Sequence, residues 1–320
     1  MVKKYMWGLL ILALFISFGT PAYAQYTGKK VLFVDSYSVG YAWSDGTYEG
    51  VEATFKGTGI ELKRFEMDTK RKRTKEEGEQ AALNAKAMIE QWMPDVVIAS
   101  DDNAARYLIQ PYYKDAAVPF IFCGINWDAS IFGLPYKNVT GMIEVALVPQ
   151  ALSLIKVHAK GSRIGYIAAD VETARKDGQY YKSIFKLELN EKYIKTMDEW
   201  EKAFTQMQEE TDIIIVGNSA GIDDWNNDRA KAFHIASAKV PTTTLHEHMA
   251  PFALVGLTKI PQEQGKWAAE TALEIIDGVS PESIPVAQNK DGALYINMPI
   301  ASKLGVLFST SLLKTATIIN

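Results

Sequence analysis

Short apolar runs alternate with longer stretches of helical periodicity along most of this chain. Val31 to Val34, Asp95 to Ala99, Val118 to Phe122, Arg163 to Ala168 and Asp212 to Val216 are continuous apolar runs, not alternating ones. Such runs mark parallel strands covered on both faces. Between them, Lys75 to Trp92 places Ala82, Ala85, Met88, Ile89 and Trp92 on one side and predicts a helix that Pro94 ends. A helix through Tyr48, Val51 and Phe55 follows the first strand, with Ser44 or Asp45 as its cap. Further helices are predicted over Ala104 to Tyr113, Pro149 to His158, Thr173 to Leu189, Glu199 to Gln208, Arg229 to Ala238 and Gln262 to Ile276. Ile60 to Glu66, the surroundings of Tyr193, Pro241 to Leu245, Phe252 to Leu257 and Ala293 to Asn297 read as strands, and a short helix at Pro299 to Leu304 precedes the closing segment Ser309 to Ala316. The alternation predicts an α/β protein with doubly wound parallel sheets, laid out as two successive series of domain size.

The first 24 residues break the pattern. Lys3 and Lys4 precede an apolar core from Leu9 to Phe18, and Ala22-Tyr23-Ala24 is a small-x-small cleavage site, so an export leader cleaved before Gln25 is expected. About ten strongly apolar residues fall short of the roughly 20 that a spanning helix needs. Removing the two lysines takes 34 basic against 38 acidic residues to 32 against 38, a net charge of −6 instead of −4. That balance argues against nucleic acid and anionic membranes as partners. The run Lys70-Arg71-Lys72-Arg73 leads into Thr74-Lys75-Glu76-Glu77 and reads as the solvated start of a helix. Cys123, the single cysteine, rules out an internal disulfide and a lipid attachment point after the cleavage site. A monomer in the periplasm of a Gram-negative cell is the expectation. The remaining residues, about 296, exceed one ordinary core and predict two domains of roughly 150.

Five stretches carry a resemblance. They are Asn138-Val139-Thr140-Gly141, Arg163-Ile164-Gly165-Tyr166, Gly265-Lys266-Trp267-Ala268-Ala269-Glu270 through Ile276-Asp277-Gly278, Ile284-Pro285-Val286, and Ile296-Asn297 followed by Ala301 and Leu304-Gly305. In order and spacing the chain resembles the ABC-transporter substrate-binding family of tryptophan/tyrosine-type solute receptors. The resemblance implies a type I periplasmic binding protein: two doubly wound parallel-sheet lobes joined by three crossovers, closing on a small solute. The first lobe would hold residues 25–143 and 257–283, the second 144–256 and 284–320, with hinges near Ile143 to Leu147, Val255 to Leu257 and Ile284 to Ala287. The partner would be an ABC permease or, since similar lobes serve as sensory modules, a membrane histidine kinase. The segment Ser36-Tyr37-Ser38-Val39-Gly40-Tyr41 departs from the family's usual opening after its first strand.

Open α/β sheets bind ligands at the carboxyl ends of their strands. By that rule the first lobe offers Ser36, Tyr37, Tyr41, Trp43, Asp101, Asp102, Asn126 and Trp127, and the second offers Asp170, Asn218, Ser219 and Glu247. For an amino-acid-like solute, hydroxyls and backbone N–H groups would hold a carboxylate, an acidic side chain an ammonium, and aromatic faces a flat apolar part. Each residue has a plainer role as well: acidic residues cap helices, and aromatics cover sheet ends. Gly217-Asn218-Ser219-Ala220-Gly221 matches the nucleophile elbow of serine hydrolases, with Asp223, His246 and His248 downstream. An elbow needs a helix starting at the serine, however, and Ile222 to Asp228 reads as a loop, so a binding protein without catalysis is preferred to an exported hydrolase. His246 and His248 share one face of an extended segment, but no third metal ligand is evident by spacing. No cofactor is expected.

Overall fold

The computed structural model describes residues 25–320, so the expected leader and its cleavage site lie outside the described residues. In chain order the strands are β1 (Lys30–Asp35), β2 (Glu61–Glu66), β3 (Val96–Ser100), β4 (Phe120–Asn126), β5 (Val139–Glu144), β6 (Ile164–Ala169) and β7 (Leu189–Ile194). They continue with β8 (Ile213–Val216), β9 (Thr242–Thr244), β10 (Val255–Lys259), β11 (Ala287–Gln288), β12 (Gly292–Asn297) and β13 (Thr317–Ile319). One sheet has the order β11-β5-β4-β3-β1-β2 and the other β13-β12-β10-β9-β8-β6-β7. Every neighbouring pair is parallel except β10 and β12. Helices cover both faces of each sheet, which is why the central strands Val31 to Val34 and Val96 to Ile98 are fully buried and apolar throughout.

Side chains alternate across each strand, so each sheet has a core on either face. In the first sheet Leu32 and Val34 pack with Ala82, Leu108 and Phe122, while Val31 and Phe33 pack with Phe55, Ala268 and Ala272. The helix Pro261–Ile276 thus returns to the first lobe. It lies so close to the helix Ala42–Phe55 that a Cβ on Gly265 would stand 1.8 Å from the Thr47 carbonyl oxygen. In the second sheet Tyr166, Ala168 and Ile215 face the helices Val148–Lys156 and Glu172–Phe185, while Ile167 and Ile214 face Trp200 and Phe204.

Two expected lobe boundaries move. All of β10 lies in the second sheet, since its backbone is satisfied by β9 on one side and β12 on the other, so the crossing falls at Ile260 and not at Val255 to Leu257. The segment Ile284 to Ala287 belongs to the first lobe: Thr140 Oγ1 donates to the Ile284 carbonyl at 2.8 Å and β11 pairs with β5. The third crossing therefore follows Gln288. There Asn289 clips two crossovers together, accepting the Val145 N–H at 2.7 Å and donating to its carbonyl at 3.1 Å.

Other departures are local. The helix Ala42–Phe55 starts before Ser44, because the Ser44 hydroxyl is drawn to Asp35 at 2.8 Å and Asp45 accepts the Gly40 N–H at 2.8 Å. Neither residue is its cap. The helix expected from Ala104 begins at Asp101 and contains a π-turn, Ala105–Ile109. β4 runs on through Asn126, with a register shift at Gly124. Thr74 and Glu77 form a reciprocal capping box on the helix Lys75–Trp92.

Candidate functional site

The carboxyl ends of both sheets face a common space, and the two ends meet it with different chemistry. At the end of β1, Ser36 is fully buried. Its hydroxyl donates to the Ser100 carbonyl at 2.5 Å and accepts the Ala104 N–H at 2.8 Å. Both capacities are thus spent inside the lobe, and Ser36 ties β1 to β3 instead of lining the cleft. Asp35 is similarly occupied by Arg64 at 2.5 Å.

Tyr37 and Tyr41 stand edge to face with ring centroids 4.9 Å apart. The ammonium of Lys70, an exposed side chain, lies 4.2 Å from the first ring centroid and 4.8 Å from the second. Burial, and then the nearby Asp101, Asp102 and Glu144 charges, raise the Tyr37 hydroxyl pKa. These carboxylates therefore share one electrostatic neighbourhood with the tyrosine pair.

Asp101 forms the floor. Its backbone is left-handed, φ +70, and the residue is 3% exposed. The one hydrogen bond to its carboxyl is a long contact of 3.3 Å from the Ser100 hydroxyl, and it makes no ion pair among the described residues. Burial foremost, with Glu144, Asp102 and Asp35 behind it, pushes its pKa well above the ordinary carboxylate value. Gly124, whose φ of +72 favours glycine, lies between the two groups: a Cβ there would be in ordinary contact with both, 3.5 Å from Trp43 Nε1 and 3.6 Å from the Asp101 carboxyl carbon. The Trp43 indole N–H is buried and has no partner. A buried donor without an acceptor costs roughly 1–3 kcal/mol, and here the unpartnered indole N–H lies beside a buried carboxyl that holds one long hydrogen bond.

Asp102 accepts the Asn126 backbone N–H at 3.0 Å and its side-chain amide at 3.4 Å, which orders the end of β4. Trp127, with φ +63, packs against the cores of both lobes and stacks on Tyr180 of the helix Glu172–Phe185, centroids 4.8 Å apart and planes 16° from parallel. It is a contact between lobes as much as a wall of the cleft.

The second lobe supplies a different set from the one read in the sequence. Asp170 is committed to Arg175 at 2.6 Å and Lys195 at 3.8 Å. Asn218 accepts the Ala220 N–H at 2.8 Å and meets His248 Nε2 at 3.0 Å, while Glu247 is exposed and bonds to Tyr295. Ser219 is buried, and its carbonyl accepts the Ile222 N–H at 3.0 Å. The next helix starts only at Asn227, capped by Asn226, so no helix dipole points at Ser219. The rings of His246 and His248 are 5.7 Å apart.

Lys259, at the end of β10, is the residue that sequence reading missed. It forms an ion pair with the buried Glu144 at the end of β5, joining the two lobes, and lies 5.7 Å from the Trp43 ring. Asp177, on the helix Glu172–Phe185, has its pKa raised to about 6 by burial, with Lys259 opposing. The His246 pKa falls to about 4, through burial first and then His248 and Lys259, and its Nε2 is a buried atom without a partner. Lys259 and Glu144 end strands and were open to the strand-end rule. Asp177 sits in mid-helix, where that rule has nothing to say. A roomy hollow of about 570 Å³ beside His158, Arg163 and Lys303 lies away from these strand ends and shares none of this chemistry.

Comparison with known proteins agrees with this architecture. No curated protein sequence matches the chain. Among solved structures it is similar to the ligand-free, open form of CD0873, a substrate-binding protein with adhesive properties from Clostridium difficile, at 18% identity and a TM-score of 0.68, covering 91% of this chain and 99% of that one. It is also similar to a periplasmic ribose ABC transporter protein from Conexibacter woesei, at 14% identity and a TM-score of 0.53, covering 92% and 99%. At such identities the likeness is one of fold, that of type I periplasmic binding proteins. The family model for ABC transporter substrate-binding proteins matches residues 41–319, nearly the whole described fold, and the chain belongs to that family.

Proposed function

We propose that the protein is a periplasmic receptor whose lobes close on a small polar or aromatic solute, amino-acid-like in character, and deliver it to an ABC permease. The observation that carries this reading is the pairing of a buried, nearly unpartnered Asp101 carboxyl with the unpartnered Trp43 indole N–H at the floor of the interlobe space. Buried polar groups with hydrogen-bonding capacity left over at a cleft floor are the groups a bound solute can complete. The aromatic rings of Tyr37, Tyr41 and Trp43 supply apolar faces beside that polar floor, and Lys259 and His246 supply the opposing side. Binding favours closure only to the extent that the solute contacts both lobes at once.

A thermal-shift screen of amino acids, amines, nucleosides and sugars tests the reading. A true ligand at about 100 times its dissociation constant adds roughly 2.7 kcal/mol of stability. The expected outcome is stabilisation of the parent protein that Trp43→Ala reduces; a ligand whose stabilisation is untouched by Trp43→Ala binds elsewhere and defeats the assignment.

A further inference from the structure

Four carboxylates approach the interlobe space: Asp101, Asp102 and Glu144 from the first lobe, and from the second Asp177, about one helical turn before the Tyr180 that stacks on Trp127. Their balance of charge is uneven. Glu144 is met by Lys259, and the same ammonium is the cation that opposes Asp177. Asp101 and Asp102 make no ion pair among the described residues, and Asp102 is bonded to Asn126 alone. Burying a carboxylate without a cation is costly, and placing two such groups side by side adds repulsion.

The second observation is independent of that count. The Tyr37 and Tyr41 rings already hold a cation, the ammonium of Lys70, at 4.2 and 4.8 Å from their centroids. Lys70 is exposed and reaches in from the segment after β2, so its ammonium is a removable occupant and not part of the core. An electron-rich aromatic pair flanked by carboxylates is a recognised receptor for ammonium and guanidinium groups. Lys259, from the opposite lobe, lies 5.7 Å from the Trp43 ring, the same relation of cation to aromatic face. The ring faces of the first lobe thus accept positive charge at two places, once from its own Lys70 and once from Lys259 of the second lobe.

We infer that the cleft selects solutes of net positive charge, carrying ammonium or guanidinium groups, with Asp101 as the principal counter-ion in the first lobe and Asp177 in the second. The inference rests on the receptor reading above and narrows its solute class. A zwitterion of no net charge would bring its own carboxylate into a space already rich in them. A dication or a basic amino acid leaves the closed form nearer neutrality, and its positive groups can reach both lobes.

Isothermal titration of the purified protein with putrescine, L-arginine, L-tyrosine, D-ribose and succinate tests this directly. Putrescine or L-arginine is expected to bind at least tenfold more tightly than any of the other three, and the order of the two separates a diamine site from a basic amino-acid site. Asp101→Asn should weaken the preferred cation tenfold or more, and Asp177→Asn at least threefold, each with a cooperative unfolding midpoint no lower than the parent's at neutral pH as the check on folding. Asp102→Asn serves in place of Asp101→Asn should the latter not fold. Lys70→Ala, which vacates the tyrosine pair, should tighten cation binding about threefold, an effect no structural role for Lys70 produces. Tighter binding of L-tyrosine, D-ribose or succinate overturns the charge inference and leaves the receptor reading standing. Binding of none of the five overturns the charge inference and counts against the receptor reading too.

Discussion

Asp101 shows how one residue can satisfy a backbone and a site together. The left-handed conformation that begins the helical segment after β3 is open to few side chains, and aspartate and asparagine are among them. The sequence Ser100-Asp101-Asp102-Asn103 therefore serves the turn and leaves a carboxyl at the cleft floor. The two roles separate experimentally. Asp101→Asn keeps the backbone preference and removes the charge; Asp101→Ala removes both. Equilibrium urea unfolding should find the alanine variant less stable than the asparagine variant by about 1 kcal/mol, the cost of a left-handed conformation for an ordinary residue. Equal stabilities would mean that the conformation at Asp101 is relaxed in solution. Asp101 reads as a candidate site residue from the sequence because it follows an apolar strand. Reading Ser36 as one failed because its partners, Ser100 and Ala104, stand more than 60 residues away in the chain.

At the scale of elements, the loop after β4 and the helix Glu172–Phe185 form the aromatic contact between the lobes. Trp127 is held at a positive φ that a bulky side chain adopts rarely, and its ring is received by Tyr180, Tyr181 and Phe185. Such a stack adds about 1 kcal/mol beyond the area it buries. Trp127→Ala should shift the ligand-free protein toward open forms, seen in small-angle scattering as a larger radius of gyration, with a smaller effect once a ligand is bound. An unchanged radius in both states would show that the stack does not govern the opening. The same helix carries Asp177, and Lys259 ends the strand β10 that was expected to stop two residues sooner. Helical periodicity locates helices well, yet it does not say which sheet each face of a helix meets.

For the whole molecule, pH acts on buried groups of opposite sign. His234 is 1% exposed, and its pKa is lowered to about 3 by burial. Its Nε2 accepts the Trp200 indole N–H at 3.0 Å, as a neutral imidazole does. The unfolded chain, with a histidine pKa near 6.5, takes up a proton first. Stability from this group is complete above about pH 6.5 and falls as pH drops toward 3, by at most about 1.4 kcal/mol per pH unit. His246, lowered to about 4, acts the same way. Asp177 acts oppositely: its pKa, raised to about 6, means that the folded state takes up the proton first, so stability is gained as pH falls from about 6 toward the ordinary aspartate value. Urea midpoints at pH 7 and pH 5 should therefore fall more steeply in Asp177→Asn than in the parent protein. A shallower fall in the variant would show that Asp177 is not held protonated by its burial.

Sequence by itself determined the class of this protein: continuous apolar runs can be buried only inside sheets covered on both faces, and their alternation with amphipathic helices allows little else than doubly wound parallel sheets. It placed Trp43, Asp101, Asp102 and Asn126 near the strand ends from local pattern alone. Tertiary structure decided which of the strand-end residues remain free. Ser36 and Asp170 are consumed by neighbours within their own lobes, and Trp127 is shared between the two lobes. It also decided that Glu144, Asp177 and Lys259 share one neighbourhood, though they are spread over more than a hundred positions of the chain. The physical reason is range. Backbone propensity and hydrophobic period act over a few residues, while the charge and hydrogen bonding of a cleft depend on chain crossings that bring distant segments together.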